Sequence, residues 1–338
     1  MPPSSATRPR LTYVTDAEPG YRRRRSGRGF RYFDAHGRNV RDPKILDRIH
    51  ALAVPPAYRD VWICKRADGH LQATGVDARG RKQYRYHPLW KAMRGAEKFR
   101  HVATFGRSLP RLRRALRRDL ALDGFPKQKV LATVIAIMAR TYLRVGNNGY
   151  TRENHSYGLT TLRNSHARAL AGGRVKLAFR GKSGVVQESI IDDTRLAMLI
   201  RRCQELPGQR LFQYRDDQGK LRPIGSTDVN DYLRDAMEGE FTAKDFRTWG
   251  GTLMAIRLLA QRPPKGKHAS EAELTKIRTW VESGVAKQLN NTPAVCRSSY
   301  IDPRVYHAWA NRWLAQAAQG VLGQRQWEAL VVKLLNSK

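Results

Sequence analysis

Residues 126–143, PKQKVLATVIAIMARTYL, restrict the fold more than any other stretch. A proline at the first turn suits a helix start, where its missing N–H has no partner to lose. Apolar residues then recur nearly all round the helix, so no stripe is left for water. Such a helix is stable only when other elements cover every side. The chain must therefore build a multi-helix domain around it, with this helix expected to run into Arg144 and end near Gly146.

The remaining pattern divides near residue 95. Beyond it the apolar spacing is helical. LPRLRRALRRDLAL (109–122) reads as a basic amphipathic helix, and further helices fit 192–205, 227–237, 243–261, 270–290, 303–320 and 323–336. One strand pair interrupts them, RVKLAFRGKSGVVQESI (174–190), with its turn at 181–184. Before residue 95 strands and turns prevail. FRYFDAHGRNV (30–40) reads as two short strands about a His-Gly turn, and DPKILDRIHALAVPP (42–56) as a capped helix stopped by Pro55 and Pro56. RDVWICKRADGHLQATG (59–75) returns to strands around Asp68-Gly69. No internal repeat is read. The expected class is α+β: a flexible basic arm over 1–20, a small, mainly antiparallel β domain over 21–95, and a larger, mainly helical domain over 96–338. The four arginines at 22–25 fit a solvated basic arm, an import signal or a specific DNA contact.

Charge narrows the partner. Lys and Arg number 63 against 29 Asp and Glu in 338 residues, a net +34, and 41% of residues are hydrophobic. The chain can bury a core, so it is no disordered tail. The polyanion that best matches such an excess is nucleic acid. A membrane surface would call for an amphipathic anchor or a lipidation site, and neither is read; nor does any apolar run reach the length of a spanning helix. Cys64, Cys203 and Cys296 are scattered without a CxxC pair, which favours a reducing compartment over disulfides or zinc. With no signal peptide read at the start, a cytoplasmic protein is expected, beside the nucleoid if bacterial.

GKS at 181–183 is not a P-loop. The glycine required five residues earlier is Lys176, and VVQESI after it reads as strand. Lys182 is then a lysine on a hairpin turn. Arg144 follows the apolar helix, where it would cap carbonyls or pair with an acid. Lys244 and Arg247 lie three apart on a helix begun by Thr242. Asn290 and Asn291 end another helix, and VCRSSYIDPRVY (295–306) carries Tyr300 and Tyr306. Singly, each has an ordinary structural reading. Together they supply what attack on a phosphodiester demands: a nucleophile, cations around the non-bridging oxygens and a donor for the leaving oxygen. Arginines would favour the tyrosine anion and the developing charge on phosphorus together. No metal is required by such a set, and no carboxylate cluster suggests one.

Several segments in order resemble the type IB DNA topoisomerases in their poxvirus and bacterial branch, closest to the bacterial members. They are LQATGVDARGRKQYRYHPLW (71–90), LRVGNNGYTRENHSYGLTTLRNSH (143–166), FRGKSG (179–184), KDFRTWGGT (244–252) and VCRSSYIDP (295–303). The resemblance implies that Tyr300 attacks DNA to give a 3′-phosphotyrosyl link and a free 5′-hydroxyl. It implies that Arg144 and Arg247 clamp the phosphate, that Lys182 is the general acid, and that Asn291 donates to a phosphate oxygen. Tyr306 matches no catalytic position. In RKQYRY, Arg81 and Lys82 would touch the DNA backbone, while Gln83, Tyr84 and Tyr86 would face the major groove. The implied fold gives the catalytic domain a form shared with tyrosine recombinases, the two domains closing on duplex DNA as a clamp. The implied reaction relaxes supercoils of both signs on double-stranded DNA, as a monomer, with no cofactor, neither ATP nor metal. Asp302 departs from the family's usual His or Asn, and the tail after about 320 carries no recognised motif. Two rivals stand beside this reading. A tyrosine recombinase usually shows His where this chain has Lys244, and a DNA-compacting protein would not need Tyr300.

Overall fold

The computed structural model describes residues 11–266 and 269–336. Contacts divide the chain into two compact units, the division falling between Glu97 and Lys98. In the first unit run β1 (Tyr21–Ser26), β2 (Gly29–Phe33), α1 (Pro43–Ala51), β3 (Arg59–Ile63), β4 (Leu71–Val76) and β5 (Lys82–Tyr86). The strands form one antiparallel sheet in the order β2-β1-β3-β4-β5. Asp42 caps α1 by accepting from the Lys44 N–H, with Pro43 in its first turn. Ile45, Leu46 and Ile49 of α1 pack with Tyr21, Tyr32, Val61, Ile63 and Ala73 of the sheet.

The arginine run proves to be strand β1, not an arm. Its residues alternate across the sheet, and Arg23 donates to the carbonyls of Val54, Pro55 and Tyr58 at 2.9, 2.9 and 2.8 Å. Four identical residues conceal a two-residue period, which is why the strand was not legible. Residues 11–20 also pack, against the expectation of a flexible arm. Val14 is buried with its N–H on His70 Nδ1 at 3.1 Å, and Thr12 bridges to Gly69. The first ten residues of that arm lie outside the described residues. FRYFDAHGRNV yields one strand, its second half returning only through an Asn39 bridge to Phe33. Its turn recurs elsewhere. Asp34, Asp77 and Asp216 each accept from the N–H groups two and four residues on, with Gly37, Gly80 and Gly219 at φ 78°, 73° and 74°.

A helix of 33 residues, α2 (Pro88–Leu120), runs through the division. Only its last third was foreseen, because Gly95 and Gly106 lower the helical signal ahead of it. Next comes α3 (Lys127–Thr141), with every residue from Lys129 to Met138 buried. It stops at Tyr142, which takes φ 55° and gives its N–H to the Met138 carbonyl. Arg144 therefore lies past the helix rather than on its last turn. The second unit continues with α4 (Asn148–Asn154), then β6 (Ala167–Leu170), β7 (Arg174–Arg180) and β8 (Val186–Ile191) as one antiparallel sheet. After α5 (Thr194–Gln204) come the hairpin β9 (Gln213–Arg215) and β10 (Leu221–Pro223), then α6 (Ser226–Met237), α7 (Ala243–Gln261) and α8 (Glu271–Leu289). The chain closes with α9 (Pro293–Ser299), α10 (Arg304–Ala310), α11 (Trp313–Ala317) and α12 (Gln324–Asn336). The helix expected over 303–320 is broken where Arg312 takes φ 62°. Buried faces of α3 and α7 pack with Phe105, Leu112, Phe212 and Leu330 in one core. The expected α+β architecture holds: an antiparallel sheet region, then a larger, mainly helical part. Among the described residues no helix is long and apolar enough to cross a membrane.

Candidate active site

Tyr300 closes α9. Thr292 caps that helix by accepting from the Val295 N–H, and Pro293 fills its first position. The Tyr300 N–H still bonds to the Cys296 carbonyl at 2.9 Å, so the helix end fixes where the ring begins. From the other side α7 holds it. A Cβ on Gly251 would stand 2.6 Å from the Tyr300 carbonyl oxygen and 2.9 Å from its Cβ. Thr252 Oγ1 donates to that same carbonyl and accepts from the Asp302 N–H, each at 3.2 Å. Gly250 makes room for the Tyr142 ring, 2.4 Å from where its Cβ would be. From sequence, Gly250 and Gly251 were given no role. The missed signal is a glycine pair inside a helix, where each costs about 1 kcal/mol relative to alanine and so needs a reason.

Arg247 lies one turn earlier on α7 and is only 5% exposed. Its Nη1 donates to the Tyr142 carbonyl and its Nη2 to the Leu289 carbonyl, each at 2.7 Å. These carbonyls belong to the C-terminal ends of α3 and α8, where a cation is favoured. Asn290 takes φ 46° and turns the chain, so Asn291 reaches back. With its amide oxygen facing the guanidiniums, Asn291 accepts from Arg247 Nη2 at 3.0 Å and Arg144 Nη2 at 3.1 Å. The Arg247 guanidinium carbon sits 5.0 Å from the centre of the Tyr300 ring. Four of the five nominated residues thus converge. Among the described residues no carboxylate pairs with either arginine; carbonyls and an amide hold them instead.

The two tyrosines of VCRSSYIDPRVY stand in opposite environments. Burial alone would raise the Tyr300 hydroxyl. Hydrogen bonding from Arg247 and the charges of Arg247, Arg144 and Lys244 outweigh it, holding that hydroxyl below the usual tyrosine range. Tyr306 is pushed up, first by burial and then by Glu282. Arg144 is itself lowered, by burial and then by the like charge of Arg247. Two half-desolvated cations side by side make a site that an anion would relieve. Lys244, given no role from sequence, proves to act electrostatically on Tyr300.

Lys182 stands apart from the four. It is exposed at the β7–β8 tip, where Ser183 takes φ 62° and Gly184 φ 78°, and it joins none of their hydrogen bonds among the described residues. The hairpin is tied to the site close to this tip: Asn290 Nδ2 donates to Gln187 Oε1 at 3.0 Å, on the second rung from the turn.

In the first unit, β5 is the edge of its sheet. Lys82, Tyr84 and Tyr86 are exposed on one face, with the tyrosine rings stacked 6.1 Å apart. Gln83 was expected to share that face. Alternation turns it the other way, where it gives its amide to Asp77 beside the Arg81–Asp77 ion pair. Lys82 pairs with Asp16 at 2.5 Å. Three rings not nominated from sequence pack beside these tyrosines: Tyr13 stacks on the buried His70 at 4.1 Å, and His70 lies 4.7 Å from Trp90 and 6.0 Å from Tyr86.

Comparison with known families agrees with this geometry. Residues 87–312 match the catalytic core of eukaryotic DNA topoisomerase I, and residues 29–77 the N-terminal domain of bacterial DNA topoisomerase IB. The DNA topoisomerase 1B of Acanthamoeba polyphaga mimivirus is 33% identical over 286 residues, covering 83% of this chain and 85% of the viral protein. That of vaccinia virus (strain Copenhagen) is 25% identical over 134 residues, 40% of this chain and 42% of its own. DNA topoisomerase 1 of Mycosarcoma maydis is 25% identical over 201 residues, covering 53% of this chain and 20% of the fungal protein.

Proposed function

The chain belongs to the type IB DNA topoisomerases, which are isomerases, and from that premise we propose that it relaxes duplex DNA by transesterification through Tyr300. The Tyr300 hydroxyl gives up its proton to solvent as the arginines favour its anion; its oxygen attacks a backbone phosphorus, the bond to the 5′-oxygen breaks, and the strand is left on the enzyme as a 3′-phosphotyrosine. Lys182 gives its proton to the departing 5′-oxygen. Arg144 and Arg247 hold the non-bridging oxygens as charge builds on them, and Asn291, its oxygen engaged by the arginines, offers its amide N–H to the same phosphate. Rotation of the free 5′ end releases supercoils of either sign. The 5′-hydroxyl then returns its proton to Lys182 and attacks phosphorus, expelling the tyrosine oxygen.

One observation carries this reading: two adjacent guanidiniums without a carboxylate partner among the described residues, bridged by Asn291 and facing a phenol whose anion they favour. The phosphotyrosine conserves the energy of the broken bond, so the cycle calls for no ATP. The guanidiniums supply the charge that a metal would otherwise bring. The protein acts as a monomer on double-stranded DNA, with Arg81, Lys82, Tyr84 and Tyr86 contacting it from the first unit. It works in the cytoplasm beside the nucleoid. Trapping with denaturant tests the chemistry. A duplex labelled at the 5′ end of the scissile strand should stay bound to wild type after denaturation and not to Tyr300→Phe. Labelled adduct on the phenylalanine variant would remove Tyr300 as nucleophile.

A further inference from the structure

The segment carrying Tyr300 is gripped on both sides by groups to which the chemistry above gives no role. Before it, Lys98 of α2 donates from its ammonium to the Ser298 carbonyl at 3.1 Å, near the C-terminal end of α9. After it, Asp302 is 1% exposed and accepts from Arg304 through the backbone N–H at 2.9 Å, Nε at 3.0 Å and Nη2 at 2.7 Å. Arg304 carries the grip onward to the Leu335 carbonyl of α12 at 2.7 Å and the Phe99 carbonyl of α2 at 3.2 Å. Phe99 adjoins Lys98. One turn of α2 therefore holds the chain two residues before the nucleophile and, through Arg304, just after it. Asp302, which departs from the family pattern, is committed to this anchor.

We propose that Lys98 is a positioning residue for the transesterification, its hold on the Ser298 carbonyl keeping the Tyr300 hydroxyl in place beside Arg247. The inference rests on Tyr300 being the nucleophile. A displacement of about 1 Å in a reacting group costs up to about a hundredfold in rate, so one lost anchor matters. The ammonium is kept where it is disfavoured: burial, then the like charge of Lys244 on α7, bring it down to about 8, with Asp302 opposing. The Phe99 ring lies 4.3 Å from the ammonium.

Single-turnover cleavage at saturating duplex, with Lys98→Met, Lys98→Arg and Tyr300→Phe, tests this. Lys98→Met should cleave about tenfold or more slowly, with duplex affinity and melting temperature held, and Lys98→Arg should restore most of the rate. Lys98 loses its proton as pH rises through about 8 while arginine keeps its own. The ratio of wild-type to Lys98→Arg rates should therefore fall from pH 7 to 9, a change that a passive packing role would not produce. Tyr300 titrates in both proteins and largely cancels in that ratio. A wild-type rate in Lys98→Met, no rescue by arginine, a flat ratio, or joint loss of rate, affinity and melting temperature would each overturn the proposal. Adduct formation by Tyr300→Phe would sink the underlying reading instead. An inert Tyr300→Phe beside a normal Lys98→Met would sink this inference alone.

Discussion

At the scale of single residues, the site works by giving two arginines neutral partners in place of carboxylates. Arg247 is nearly sealed, yet its hydrogen bonds go to carbonyls and an amide. Removing it should slow strand cleavage about 10²- to 10³-fold in single-turnover assays of Arg247→Ala, the range seen when one preorganised donor to a developing anion is lost. Arg144 lowers the Tyr300 hydroxyl by its charge. Arg144→Gln should therefore raise the pH at which Tyr300 ionises, and ultraviolet titration against Tyr300→Phe controls would show it; an unchanged titration would remove Arg144 from that role. Residue chemistry was the most legible layer of the sequence, since Tyr, Arg, Lys and Asn announce what they can do to a phosphate. Asp302 was not legible, because its role is set by Arg304 and by carbonyls far away in the chain. Gln83 was misread for a simpler reason: neighbours on a strand face opposite ways.

At the scale of elements, helices with a clear apolar period were readable and their ends were not. Tyr142 and Arg312 end or break helices in left-handed conformations that their side chains do not advertise. The three-residue strands β9 and β10 are too short to show a period. Helix α7 shows how an element serves the site, with Gly250 and Gly251 letting Tyr142 and Tyr300 press against it. Alanine at 251 would gain about 1 kcal/mol of helix propensity, but its Cβ would meet a backbone carbonyl that cannot swing aside. Gly251→Ala should therefore keep its helical circular dichroism and its hold on DNA while losing covalent adduct. Normal adduct yield would mean that the close approach at α7 does not position the nucleophile.

At the scale of the whole molecule, a net charge of +34 sets the terms of association. Duplex affinity should fall steeply and linearly in log–log form as salt rises, by close to one power per phosphate neutralised. Tyr84→Ala with Tyr86→Ala should weaken duplex binding and leave the salt slope and the cleavage rate at saturation nearly unchanged, since the rings add contact area rather than charge. A shallower slope in the double variant would mean that the strand acts through its cations instead. The central claim is that one tyrosine turns binding into topology. It is tested most directly by incubating supercoiled plasmid with wild type and Tyr300→Phe in EDTA, without ATP. The account predicts that wild type relaxes supercoils of both signs and that Tyr300→Phe binds DNA yet relaxes none. Relaxation by both proteins, or by neither, would contradict it.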